Sequence, residues 1–400
     1  MAVARDGANL RKSFDGLRVL DFSTTIAGPH CTRMLADMGA EVIKIESDEG
    51  ETMRTRPPVR NGCSSAFGQL NVGKKSLVLD LKSPAAIEIV HRLVSNADIL
   101  VENFRPGVMR RLKLDYGSLR ELNPKLIYCS ISGYGQTGPS AELPAYAPVI
   151  HAASGYEMAH LAYQPGRSRP DYCGIYHADV LTGVYAFGAI SAALHQRHRS
   201  QEGQHIDVSM LESMLSLTLN ELQWSQFEVK PTARPLFGPL ETSDGYVMLA
   251  VASEKTFQSL IKVIGHPEWI DDPRFAKYSD RRDYWGDLMD GVERWSRTLS
   301  TEKCVTDLNS AGVPCSAYRT VAEAMNDPQI AHRGALSEVR DDGGTFKVLN
   351  LPFRMSGAAV SAGKRMATLG EHTLALLEEA GLSHDEISGF AGKRLARELR

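Results

Sequence analysis

Asp179 opens a segment crowded with small residues, HADVLTGVYAFGAISAALHQR (residues 177–197). A carboxylate at the start of a helix has two readings. It caps the helix, accepting backbone N–H groups at the positive end of the macrodipole. Alternatively, the helix is buried and its first turn presents the carboxylate into the protein or a cleft rather than into water. Local physics favours the cap. Gly183, Ala186, Gly188, Ala189, Ala192 and Ala193 shift weight to presentation, because they predict a helix packed closely on nearly every side. Gly183, after Thr182, also allows another segment or a ligand to come near.

Basic residues form the second group of candidates. VENFRPGVMRR places Asn103, Phe104 and Arg105 at the carboxyl end of an expected strand, with Arg110 and Arg111 beyond a Pro-Gly turn. NVGKKS places Lys74 and Lys75 ahead of another strand. Such clusters hold phosphates, Arg by charge-assisted hydrogen bonds and Lys as a point charge; equally, they form a solvated surface. Arg54, Arg56 and Arg60, with His177 beside Asp179, are either binders of a further carboxylate or surface residues. His30, His151, His177 and His205 show no metal-ligand spacing, and cysteines 31, 63, 129, 173, 304 and 315 form no CxxC pair. No metal and free thiols in a reducing compartment are therefore expected. No GxSxG elbow supports a hydrolase triad.

The elements that must carry these residues alternate. LRVLDFS (17–23), EVIKIE (41–46), SLVLDL (76–81), DILVENF (98–104) and LIYCSISGYG (126–135) read as strands, and 83–97 and 179–199 as helices. This pattern predicts an α/β, Rossmann-like domain with a parallel sheet and ligands at the carboxyl ends of its strands. The first strand–helix turn, STTIAGPHCTRML, has one glycine where a dinucleotide fingerprint needs three, so a nicotinamide cofactor is not expected despite Glu46. Residues 225–239 read as a linker, and SDGYVMLAVAS opens a second, smaller α+β unit.

The 400 residues are 43% hydrophobic and carry a net charge of −3, enough for two domains and without the basic excess of a nucleic-acid binder. The longest apolar runs fall short of the roughly 20 residues that span a bilayer. The N-terminus lacks the apolar stretch of a secretory signal. A cytoplasmic protein away from membranes is expected.

Taken in order, GLRVLDFSTTIAGPHCTRMLADMGAEVIKIE, NVGKKSLVLDLK, ADILVENFRPGVMRRLKL, LNPKLIYCSISGYGQTGP and the Asp179 segment resemble the family III CoA-transferases. This CaiB/BaiF family includes formyl-CoA transferases, carnitine CoA-transferases and α-methylacyl-CoA racemases. The resemblance implies an interlocked, ring-shaped homodimer, each chain having a large and a small domain joined by long linkers. The expected layout is a flexible tail (1–14), a large CoA-binding domain (15–224), a linker (225–239), a small domain (240–320), a second linker (321–350) and a C-terminal segment (351–400) returning to the large domain.

The resemblance also implies the substrates, an acyl-CoA and a carboxylic acid, with coenzyme A carried between them. Asp179 matches the nucleophile that forms aspartyl anhydride and aspartyl-CoA thioester intermediates. Asn103, Phe104 and Arg111 match CoA contacts, Lys75 matches a basic position near the adenosine-phosphate end of CoA with Lys74 beside it, and Arg105 stands where formyl-CoA transferases carry Gly. Tyr146 matches an active-site Tyr of that subgroup, whereas Ala147 and Ile26 replace its Glu and Gln. These changes imply a roomier, more apolar pocket. Two alternatives are a racemase or epimerase, disfavoured because racemases carry His at the Tyr146 position, and a non-catalytic acyl-CoA-binding relative, disfavoured by Asp179.

Overall fold

Short aliphatic and β-branched runs separated by helices leave strands whose nearest chemical partners are one another. In the computed structural model, which describes residues 10–228, 236–383 and 385–387, six of them form one parallel sheet. They are β1 (Arg18–Asp21), β2 (Glu41–Glu46), β3 (Lys75–Val78), β4 (Ile99–Glu102), β5 (Ile127–Ser132) and β6 (Gln204–Ser209). Their order is β3-β2-β1-β4-β5-β6, with Leu20 opposite both Ile43 and Leu100. The order reverses between β1 and β4, and the crevice outside their carboxyl ends is the switch point where open α/β sheets bind ligands.

Side chains alternate across the sheet, and both faces are covered. Leu20, Ile43, Leu77 and Leu100 meet Ile89, Val90 and Leu93 of α2 (Pro84–Val94). The C-terminal segment returns to this face, where α8 (Thr373–Glu379) and the residues after it contribute Leu376, Leu377, Leu382 and Ile387. Val19, Val42, Ile99 and Ile127 meet Cys31 and Leu35 of α1 (Ala27–Asp37) and Ala186, Ile190 and Ala193 of α4 (His177–Ser200) on the other.

The small residues of α4 serve its packing on α1. A Cβ at Gly183 would stand 2.7 Å from the Ala27 carbonyl oxygen. The helix is not enclosed on nearly every side, as its composition suggested. One stripe is buried (Ala178, Thr182, Gly183, Ala186, Ile190, Ala193), while Val180, Val184 and Tyr185 are exposed. Its 24 residues are long and apolar enough to cross a bilayer by length and composition, more than the apolar runs indicated; the buried stripe nevertheless packs as a core helix.

The chain divides into two units. The first holds the described residues up to Leu222 and from Ala331 onward; the second is Gln223–Ile330. In the second, β7 (Leu240–Glu241), β8 (Tyr246–Leu249) and β9 (Cys315–Ala317) form an antiparallel sheet in the order β9-β8-β7. Val247 and Leu249 pack on Phe257 and Leu260 of α5 (Glu254–Ile264), Leu288 and Val292 of α6 (Trp285–Ser296), and Leu308 of α7 (Thr301–Ser310).

The expected linker at 225–239 lies partly outside the described residues. The expected linker at 321–350 is instead largely structured: β10 (Leu336–Asp341) and β11 (Gly344–Leu349) form a hairpin whose Val339 and Val348 pack on Val72. The expected tail is tied down where it is described, since the Phe14 N–H donates to the Met38 carbonyl at 2.9 Å and Phe14 packs on the core. All six cysteines are free thiols.

Candidate active site at the sheet switch point

The β1–α1 loop is fastened from two sides. Above the sheet, Asn103 spans the switch point: its Oδ1 accepts the Thr24 N–H and its Nδ2 donates to the Thr24 carbonyl, both at 2.8 Å. Beneath the loop, fully buried Asp21 accepts from Lys74 Nζ at 2.9 Å and Thr32 Oγ1 at 2.7 Å, and also from the Ser23 hydroxyl. Lys44 Nζ donates to the Ser23 carbonyl at 2.8 Å. Each buried charge has a partner of opposite sign, as burial requires. Between these fastenings Thr25 holds φ 70°, a conformation that costs a β-branched residue energy and needs surrounding structure to maintain it.

A cavity of about 260 Å³ opens at this loop, and Asp179 reaches it from the first turn of α4. Asp179 is not the cap that local physics favoured. Tyr176 holds the N-cap position without a side-chain cap bond, and Asp179 is the third helical residue. A capping bond comes from another helix, where Nε2 of His151 on α3 (Ala147–Ala153) accepts the Ala178 N–H at 3.1 Å. The Asp179 carboxylate therefore faces the cavity. Burial pushes its pKa up to about 6, against the opposing pull of the Ala27 N–H and the Arg56 guanidinium. A carboxylate so desolvated is more reactive than one in water and still ionises at neutral pH.

Of the residues singled out from sequence, the cavity brings together Asn103, Phe104, Arg105, Tyr146 and Asp179. Tyr146 is exposed and stands at its rim. Ile26, Ala147 and His177 do not line it. Ile26 packs with Met53, Phe67 and Leu70, Ala147 with Ile150 and Ala178, and the His177 ring lies beside His151 and Tyr156. It is their neighbours Ala27, Tyr146 and Asp179 that face the cavity, because consecutive residues at a helix start point in different directions.

Of the two lysines, Lys74 parts from expectation. Lys74 Nζ is buried and bonded to Asp21, Thr32, Asn71 and the Pro29 carbonyl, which leaves it no proton for a phosphate. Lys75 pairs with Glu41, and neither lysine lines the Asp179 cavity. Arg111 is exposed at the end of a short helix, outside it.

Among the three arginines, Arg54 is bound to Glu46 at 2.6 Å over the Phe67 ring, and Arg60 to Asp341 at 2.8 Å over the Phe346 ring. Arg56 acts on Asp179 and donates to the Tyr176 hydroxyl at 3.0 Å, and no carboxylate among the described residues pairs with it. Sequence reasoning missed Thr25, Ser132, Gly133 and Met210 of the lining. The strand-end position of Ser132 and Gly133 was the available signal.

A second cavity of about 750 Å³ adjoins the first, sharing Arg105, Pro106 and Ala141 and adding Arg110, Glu102 and Asp207. Burial pushes the Glu102 carboxyl up to about 7.

Fold and site together define an α/β enzyme with a carboxylate at the switch point of its sheet and two adjoining cavities that share Arg105, Pro106 and Ala141. The chain belongs to CoA-transferase family III, whose model matches residues 14–373. It is 34% identical over 391 residues to the succinate–glutarate CoA-transferase of Agrobacterium fabrum, covering 94% of this chain and 97% of that one. It is 37% identical over 359 residues to the acetyl-CoA:oxalate CoA-transferase of Acetobacter aceti, covering 86% and 89%. The crystal structure of a CaiB/BaiF family protein from Brucella suis superposes with a TM-score of 0.81 at 34% identity, over 92% of this chain and all of that one. The protein is thus a CoA-transferase, an enzyme that uses acyl-CoA as a substrate.

Proposed function

We propose that the enzyme moves CoA from an acyl-CoA to a free dicarboxylic acid through covalent intermediates on Asp179. The observation that carries the reading is the half-buried Asp179 carboxylate lining a cavity shared with Asn103, Phe104 and Arg105. Asp179 attacks the thioester carbonyl, the C–S bond breaks and CoA leaves as thiolate, giving a mixed anhydride. The thiolate attacks the aspartyl carbonyl and releases the donor acid, leaving an aspartyl-CoA thioester. The acceptor carboxylate attacks that carbonyl and expels thiolate again. The thiolate then takes the acyl carbonyl of the second anhydride, which forms the new acyl-CoA and restores Asp179. Anhydride and thioester are close in reactivity, so splitting the exchange into these steps lowers each barrier. The Ala27 N–H, at the start of α1, steadies the returning carboxylate.

The acyl end lies in the smaller cavity, and the nucleotide end extends through the larger, where Arg105 and Arg110 meet its phosphates. Arg56 receives the acceptor's second carboxylate. Supporting this, its charge is felt at Asp179, no carboxylate among the described residues forms an ion pair with it, and relatives act on succinate, glutarate and oxalate by name. Incubation with acyl-CoA and hydroxylamine should convert Asp179 to a hydroxamate, seen as a mass shift on its peptide. If no modification appears there while transfer proceeds, the covalent route is wrong.

A further inference from the structure

Three groups that the transfer chemistry does not use converge beside the first turn of α4. They are His151 on α3, Cys173 in the segment before α4, and His177 at its first position. One ligand atom of each lies within 4.8 Å of the other two, and Cys173 Sγ is 3.8 Å from His177 Nδ1. The separation of 22 residues between His151 and Cys173 hid the group from any reading of spacing.

A second observation points to a ligand. His151 is 1% exposed, yet its Nδ1 has no hydrogen-bond partner among the described residues. The nearest carboxylate oxygen that faces it, Glu157 Oε1, is 4.0 Å away. A buried polar atom left without a partner costs free energy and calls for an explanation.

We infer that His151, Cys173 and His177 form a site for a zinc-class divalent cation, with Glu157 or a water completing four ligands. Two imidazoles and a thiolate are a donor set suited to such an ion. Tetrahedral zinc, with bonds of about 2.3 Å to sulfur and about 2.0 Å to nitrogen, sets sulfur and nitrogen about 3.5 Å apart. The Cys173–His177 spacing of 3.8 Å is already close to that, and the ring of His151 needs to advance by about 1 Å. On binding, the Cys173 thiol releases its proton to solvent and coordinates as thiolate. His151 exchanges its bond from the Ala178 N–H for the metal: directly if Nε2 coordinates, or, if Nδ1 does, because the neutral ring then carries its proton on Nε2. The ion ties the segment before α4 to the turn that bears Asp179, so site and active centre share one helical turn.

The test uses the full chain, freed of metal and without CoA, whose own thiol would chelate the ion. Zinc is titrated against a chromogenic chelator, and cobalt is followed by absorption. One tight equivalent of zinc is expected, together with a thiolate-to-cobalt charge-transfer band. Cys173→Ser should lose the band and weaken zinc binding by at least about tenfold, with its thermal melting and its transfer activity in chelator both unchanged. His177→Ala should weaken zinc binding comparably. Absence of a tight equivalent, or a band and affinity that persist in Cys173→Ser, overturns the assignment. The outcome is independent of whether Asp179 is the nucleophile.

Discussion

Asp179→Asn should make the protein more stable while removing its activity, and the gain should follow pH. Moving a carboxyl from 3.8 to about 6 disfavours its ionised form by up to about 3 kcal/mol. The folded protein then binds a proton at Asp179 more tightly than the unfolded chain does, so protonation favours folding. That contribution is fully present below about pH 4 and is lost as pH rises through about 6. At pH 8 the wild type carries the whole cost of an ionised, desolvated carboxylate. The neutral amide has nearly the same shape and does not. Thermal melting of both proteins from pH 4 to pH 8 is the assay. The variant should melt a few degrees higher at pH 8, the gap closing toward pH 4. Transfer by the wild type should rise through about pH 6 to a plateau, and the variant should lose at least about 10³-fold in kcat. A variant no more stable than wild type at pH 8, or a gap that does not change with pH, would refute the claim that burial sets the state of this carboxylate.

Other substitutions separate the roles of neighbouring residues. Arg56→Ala should raise the acceptor KM by about 10–100-fold, the worth of one hydrogen bond to a charge, and leave the acyl-CoA KM unchanged; Arg56→Lys should recover part of it in steady-state kinetics. Gly183→Ala places a Cβ 2.7 Å from the Ala27 oxygen, so denaturant melts should show a loss of about 1–3 kcal/mol, with kcat falling more than KM because Ala27 borders the site. Lys74→Met strands the buried Asp21 charge. It should cost about 3–5 kcal/mol, yet leave the acyl-CoA KM of the folded fraction unchanged, whereas a lysine holding a phosphate would raise it.

The parallel sheet was legible in the sequence because strand and helix leave local signatures. Aliphatic runs at 41–46 and 127–132 and the amphipathic helix at 84–94 each depend on neighbours a few residues away. Asp179 was legible as a point of interest from the small residues behind it, and its assignment came from motifs matched in order along the chain. Whether a charged side chain is free or spent was not legible. Lys74 is neutralised by Asp21, 53 positions away, and Arg60 by Asp341, 281 positions away. Such pairs are made by strand order and by a hairpin that read as a linker, and no local pattern records them. His151 caps α4 from 27 positions upstream for the same reason. Sequence by itself determined the fold class and the family, and it singled out Asp179 as the candidate carboxylate. Tertiary structure decided which basic residues remain available to a substrate, because an ion pair needs only proximity in space.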